Sequence, residues 1–467
     1  MSESVLVEQI YPRLPVFLQN AACWYYGKKE ARTRFGSIFD QRLRELMESD
    51  KWSPAEIEAY QNEKLRHVVR SAYENVPYYR ERWKSLKVSP DDIRCREDLV
   101  KLPVLTKEDV RQNFDRLVSQ AIPKRELIFR HTSGTTGKAL NFYVTKAKIA
   151  FQWALWWRHR LRFGIEPGSW HANFTGKRVV PLDQRRPPFW RWNRPMHQAL
   201  LTMHHLAPSK IASIVDFLNS NRFEFYSGYP SIIHMLALNA RAASLTLHTP
   251  PRVVVTGAEN MLDFQRRDIQ EFTGAILTDQ YGCSEGCANA SHCPEFVYHE
   301  DFEFGIIEGV ELAPGSGAKS ILCTGFAGDA FPFIRYEVGD TGTWRENGVA
   351  CRCGRSSRVL LHIEGRIDDY VITPEGLRIM RFDYVFKNAL NVKEVQIVQE
   401  QLGEIIVRLV RRASYGTKDE TEIVRETQRW ISPRLAVRFE YVQEIERESN
   451  GKFRAVVSRL KSPLDQE

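Results

Sequence analysis

The chain is 467 residues long and carries 66 Lys and Arg against 58 Asp and Glu, a formal net charge of +8. That length exceeds one simple domain and predicts two or three. Its charges are interleaved instead of gathered in blocks, which argues against a nucleic-acid partner and leaves a weak bias toward anionic ligands.

The N-terminal segment "IYPRLPVFLQNAACWYYGKK" interrupts its apolar residues with Pro12, Arg13, Pro15, Gln19 and Asn20. Such a stretch fits neither a signal peptide nor a transmembrane segment, so a cytoplasmic protein is expected. Its aromatic cluster "CWYYG" suits a membrane surface or a helix docked on its own domain, and docking is the expectation. Residues 53–76 open with Ser53 and Pro54, a cap and first-turn pair. They then repeat Leu65, Val68, Val69, Ala72 and Val76 at helical spacing, which predicts an amphipathic helix.

Residues 131–140, "HTSGTTGKAL", look built for phosphate but miss the common nucleotide-triphosphatase loop. Gly134 and Gly137 stand three apart, and Ala139 occupies the place of a magnesium-binding hydroxyl. Taken alone, the segment is a different phosphate loop or a surface turn. From about 130 to 330, short apolar runs alternate with helical stretches. "RFEFYSGYP" precedes "SIIHMLALNARAAS", and "RVVVTGAEN" precedes "FQRRDIQEFTG" and then "AILTDQYGCSEG". This is α/β texture, with polar, glycine-bearing loops at the strand ends. Beyond about 370, "EVQIVQE", "EIIVRLV" and "AVRFEYV" surround one helical stretch, "TEIVRETQRWIS", and predict a small α+β domain.

Eight cysteines occur, six of them between Cys283 and Cys353. Clustering of that kind in a cytoplasmic chain favours metal binding or chemistry over disulfides. Cys293, His299, Cys351 and Cys353 form a zinc-type ligand set, with His292, Cys287 and Cys283 as rivals. Cys323, inside "SILCTGF", reads as a core residue.

Five segments in order, "HTSGTTGK", "VVVTGAEN", "DQYGCSEG", "RYEVGDTGTW" with "IEGRIDDYVIT", and "SNGKFRAVVSRL", resemble the adenylate-forming superfamily. The nearest resemblance is to its phenylacetate-CoA ligase-like branch, which includes CapK-type proteins. The resemblance implies a large α/β N-terminal domain, residues 1–367, and a small mobile C-terminal domain, residues 368–467, swinging about Asp368. It also implies ATP and Mg²⁺, a carboxylic acid activated as an acyl-adenylate, and acyl transfer to a thiol, CoA. Association of this branch with polysaccharide biosynthesis keeps an amine or hydroxyl acceptor open. A non-catalytic descendant is disfavoured because Lys452, Asp340 and Glu285 are all present.

By the same resemblance Thr132, Ser133, Gly134, Thr135, Thr136, Gly137 and Lys138 grip the β- and γ-phosphates, where glycine lets backbone approach an anion. Gly257, Ala258 and Glu259 line the adenine, Tyr281 stacks on it with Gly282 beside it in the nucleotide site, and Glu285 beside Ser284 holds magnesium. Asp340 bonds the ribose, Arg366 adds a ribose and phosphate contact, and Lys452 reaches the carboxylate and α-phosphate in the first step. Thr132, Glu285 and Lys452 are thus the expected catalytic residues. Tyr229 and Pro230 border the acyl pocket, while His204 and His205 are expected to be structural. Homodimerisation is also implied by the resemblance.

Overall fold

A computed structural model describes residues 10–132, 140–311, 319–345, 349–364, 370–376, 378–379, 382, 385–386, 391–445 and 456–460. Two compact units emerge. The first comprises residues 1–130, 142–205 and 210–365, and the second comprises 131–141, 206–209 and 366–467. Strands β1 (Ile128–His131) and β2 (Asn141–Val144) form a two-stranded sheet.

Twelve further strands make the central sheet of the first unit: β3 (His171–Thr175), β4 (Trp190–Asn193), β5 (Gln198–Thr202), β6 (Phe225–Gly228), β7 (Val253–Gly257), β8 (Ile276–Gly282), β9 (Asn289–His292), β10 (Tyr298–Glu300), β11 (Gly305–Glu311), β12 (Lys319–Gly325), β13 (Tyr336–Trp344) and β14 (Val359–Glu364). Their spatial order is β11-β12-β13-β14-β10-β9-β8-β7-β6-β3-β5-β4. Strands β8, β7, β6, β3 and β5 run parallel, whereas β4 pairs antiparallel at one edge and β9 to β14 pair antiparallel on the other side. The valines of β7 are buried on both faces, as a parallel strand covered by helices requires.

Helices follow the parallel strands in the expected alternation, Pro230–Ala242 after β6 and Asp263–Thr273 after β7. The predicted early helix spans Pro54–Asn75, with Ser53 and Glu56 forming a capping box, and buries Leu65, Val68, Val69 and Ala72. Helix Lys146–Arg162 packs Phe151, Ala154 and Leu155 into a core with Phe225, Val253, Val255 and Phe304. On that helix the fully buried Arg158 donates to Asp301 at 2.7 Å and to Glu303 at 2.5 Å. A buried guanidinium requires this pairing, because it cannot shed its charge.

The N-terminal segment is docked on its own unit, as expected, but in an inverted sense. In helix Val16–Arg34 the side turned to the protein is polar. Arg191 donates to Gln19 Oε1 at 2.7 Å, the Trp192 amide donates to Asn20 Oδ1 at 2.9 Å, and Gly27 lies against Asn193. A Cβ on Gly27 would fall 1.8 Å from Asn193 Oδ1, so only glycine fits there. Phe17, Trp24 and Tyr25 face solvent.

The second unit carries the predicted α+β arrangement. Strands β15 (Val371–Ile372) and β16 (Arg378–Ile379) pair, and a four-stranded sheet runs in the order β19-β18-β17-β20, with β17 Val392–Gln399, β18 Glu404–Arg411, β19 Ala436–Tyr441 and β20 Val456–Ser458. Its helix, Thr417–Trp430, starts where the Gly416 amide donates to Asp419 Oδ2 at 2.9 Å. Arg366, Asp368 and Lys452 lie outside the described residues.

Candidate active site

Three neighbouring parallel strands end together. Tyr229 and Pro230 follow β6, Gly257, Ala258 and Glu259 close β7, and Tyr281 and Gly282 close β8. The carboxyl ends of parallel strands are where α/β sheets hold ligands. Gly257 sits so close to β8 that a Cβ would lie 2.8 Å from the Gln280 carbonyl. Ala258 then turns with φ +67°, a left-handed conformation uncommon for a residue with a side chain. That turn carries Glu259 to the first turn of helix Pro230–Ala242, where its carboxylate accepts from the Ser231 amide at 3.2 Å. A carboxylate suits the positive end of a helix, so the loops after β6 and β7 are tied together.

Tyr281 donates to Asp340 Oδ2 at 2.9 Å, joining β8 to β13 across 59 residues of sequence. Burial, then the Asp340 charge, pushes the Tyr281 phenol well above its ordinary range and keeps it a donor. Asp340 follows Gly339, whose φ of +89° requires glycine. Glu285, buried just beyond β8, accepts from the Tyr336 hydroxyl at 2.7 Å. Its main-chain oxygen accepts from Lys148 Nζ at 2.8 Å. Lys148 is itself buried in the first turn of helix Lys146–Arg162; burial lowers its pKa, opposed by Cys287, Cys283, Glu285 and Asp329. Ser284 is exposed beside this group.

Sequence reasoning missed Lys148 and gave Tyr336 no role. The signal for Lys148 was slight: a second lysine in "KAKIAF", in the first turn of a helix capped by the Thr145 side chain. Thr132 closes the mouth of its loop, donating its amide to the Leu140 carbonyl and accepting the Leu140 amide on Oγ1, both at 2.9 Å. The loop itself, Ser133, Gly134, Thr135, Thr136, Gly137 and Lys138, lies outside the described residues.

His204 and His205 are buried at the end of β5, and burial followed by nearby cations lowers both to about 3. They are neutral at physiological pH. The surrounding aromatic side chains fill core, with Trp190 stacked on Phe217 at 3.8 Å. Cys283 and Cys287 lie with sulfurs 3.3 Å apart. The contact with Cys287, and then burial, pushes the Cys283 thiol well above its ordinary value. A protonated thiol is a poor nucleophile, which leaves Cys283 a lining residue.

Among the described residues Cys293, His299, Cys351 and Cys353 bring their ligand atoms within 4.8 Å of one another. Cys293 and Cys351 sulfurs are 3.8 Å apart, and Cys353 Sγ lies 3.4 Å from His299 Nε2. A tetrahedral zinc with sulfur ligands at about 2.3 Å has edges of about 3.8 Å, so the donor set fits. His299 Nδ1 lies 3.1 Å from the Ser357 carbonyl, which fixes the ring with Nε2 toward the sulfurs. The rivals are otherwise engaged: His292 Nδ1 accepts from the Asp279 amide at 3.1 Å, and Cys283 and Cys287 contact each other.

The fold is that of the adenylate-forming ligases. A structure of 2-hydroxyisobutyryl-CoA ligase in complex with 2-HIB-AMP and CoA, in the thioesterification state, matches with a TM-score of 0.60 and 21% identity, covering 88% of this chain and 91% of that one. In sequence the chain is similar to CapK proteins and to phenylacetate-CoA ligases. The CapK C-terminal domain family matches residues 371–459. Protein CapK of Staphylococcus aureus is 24% identical over 98% of this chain and 100% of its own length. Phenylacetate-coenzyme A ligase of Escherichia coli (strain K12) is 28% identical, over 68% of this chain and 72% of its own.

Proposed function

We propose that the protein is an ATP-dependent, AMP-forming ligase that activates a carboxylic acid as its acyl-adenylate and passes the acyl group to a thiol, CoA. The observation that carries this reading is the Tyr281–Asp340 hydrogen bond, with the Glu285–Tyr336 pair close by in sequence on both strands. Side chains from two distant motifs thereby meet beyond the ends of parallel strands. Tyr281 offers a flat ring to adenine, and Asp340 an acceptor for ribose hydroxyls. Glu285, oriented by Tyr336, would supply a carboxylate oxygen to magnesium, which neutralises phosphate charge. In this reading Lys452 and the Thr132 to Lys138 loop contact the phosphates, and Arg366 the ribose, while the C-terminal domain from 368 onward turns about Asp368. The acid fits beside Tyr229 and Pro230. Cys293, His299, Cys351 and Cys353 would hold a structural zinc, away from the chemistry.

Two names among the relatives support the thiol acceptor, phenylacetate-coenzyme A ligase and 2-hydroxyisobutyryl-CoA ligase. One observation favours an amine or hydroxyl instead: the C-terminal segment matches a CapK domain, and similarity to Protein CapK runs the length of the chain, against 68% for the E. coli ligase. Carboxylate-dependent exchange of labelled pyrophosphate into ATP, over aromatic, fatty and small hydroxy or amino acids without CoA, tests the shared first step. Exchange with one acid class, falling at least about a hundredfold in Asp340→Ala, is expected. Absence of exchange across the panel, from protein that binds ATP, would sink the ligase reading.

A further inference from the structure

Helix Val16–Arg34 presents its apolar side to solvent. Phe17, Ala21, Trp24 and Lys28 follow one another at helical spacing on an exposed stripe, with Leu18, Tyr25, Lys29 and Arg32 beside them. Phe17 is 69% exposed, Tyr25 70% and Trp24 43%. The opposite side is held by polar contacts, as Gln19, Asn20 and Gly27 meet β4, and Tyr11, just upstream, donates to the Val179 carbonyl at 2.6 Å. The helix therefore cannot roll its aromatics inward without breaking these bonds. Large rings exposed to water along one helix are unfavourable unless a partner covers them.

Charge says what covers the face. Lys28, Lys29, Arg32 and the preceding Arg13 are exposed around it, and Lys28 Nζ lies 4.9 Å over the Trp24 ring. The helix has one acid, Glu30, and Arg34 pairs with it at 2.6 Å. A second copy meeting this face about a two-fold axis would bring the same cations together, which disfavours self-association. Aromatic rings with Arg13, Lys28 and Arg32 exposed around them, and Glu30 already paired with Arg34, match the boundary of an anionic bilayer. No helix among the described residues is long and apolar enough to cross a membrane.

We propose that this face docks the protein peripherally on an anionic lipid surface, with Phe17, Trp24 and Tyr25 at headgroup depth and Arg13, Lys28 and Arg32 against lipid phosphate. The test is flotation of the full-length protein with phosphatidylcholine vesicles, with and without about a third phosphatidylglycerol, at low and high salt. Recovery with anionic vesicles should exceed that with neutral ones by about tenfold and drop at high salt. It should fall by a similar factor in Phe17→Ser/Trp24→Ser and in Lys28→Glu/Arg32→Glu, both melting like the parent because the replaced side chains are exposed. A control change at Leu402, exposed on the second unit, should leave recovery unchanged. Failure to float with anionic vesicles, or flotation indifferent to both double variants, would overturn the proposal. So would a dimer in light scattering that Phe17→Ser/Trp24→Ser dissociates, which would give the face to a second copy.

Discussion

Two groups of cysteines lie within the same unit and are both largely buried, yet their surroundings set them to opposite tasks. Cys293, Cys351 and Cys353 bring their sulfurs and the His299 nitrogen within 4.8 Å of one another, the imidazole fixed from behind by Ser357. Cys283 and Cys287 have sulfurs 3.3 Å apart, and Cys323 is buried on β12; the contact with Cys287 and then burial push Cys283 up, and burial pushes Cys287 and Cys323 up. Burial is common to both sets and decides nothing. What separates them is the geometry of the sulfurs and the presence of an oriented nitrogen, which together suit one set to a metal and leave the other packed beside Lys148.

The sharpest way to break this contrast is Cys351→Ser. It is expected to abolish one equivalent of zinc by elemental analysis and to cost about 4 kcal/mol or more in urea denaturation, loss of a metal being among the few single-site changes that reach that size. An unchanged metal content would take the metal away from this set. Next in size is Lys148→Met, which leaves the Glu285 carbonyl without its ammonium partner. Stability should fall by about 2–3 kcal/mol. Pyrophosphate exchange should fall by at least about tenfold while zinc content stays at the parent value, and a variant that keeps full exchange would detach Lys148 from the chemistry.

The third test uses pH. Burial raises the Cys323 thiol from 9.0 to about 11. The folded state then holds that proton more tightly than the unfolded chain. Its contribution is complete below about pH 9 and is lost as pH rises toward 11, a change of about 3 kcal/mol. Cys323→Ala should flatten that part of the stability curve, and parallel curves for parent and variant would show that the thiol is not the group responsible.

Much of the frame was legible because local signals agreed with the fold. Ser53 and Pro54 start a helix where a capping pair should, and "VVVTG" bounded by polar residues is β7. The motif residues Tyr281 and Asp340 were singled out for one ligand and do meet, although the bond between them was not foreseen. The metal set was named with rivals, and only distances remove His292, whose nitrogen accepts the Asp279 amide. Lys148 was illegible because a lysine in the first turn of a helix ordinarily reaches solvent; its burial depends on Glu285, 137 residues away. The N-terminal helix misled for a related reason. Gln19, Asn20 and Gly27 give no apolar period, so nothing local says that the polar side faces the protein.

The place of β14 in the sheet has a consequence for how the molecule is made. In the sheet it stands between β13 and β10, and its ladder with β10, Tyr298 to Leu360 and His299 to Val359, is the join between the parallel half and the strands β11 to β13. During synthesis the ladder between β10 and β14 therefore cannot close from residue 300 until residue 364 has emerged. At about 5–20 residues per second that interval is on the order of 3 to 13 seconds. Asp340 lies on β13, beyond that join, and Tyr281 on β8, in the parallel half. The hydrogen bond between them is thus assembled late on the ribosome, and the exposed edge of β10 is the stretch a chaperone would have to guard in the meantime.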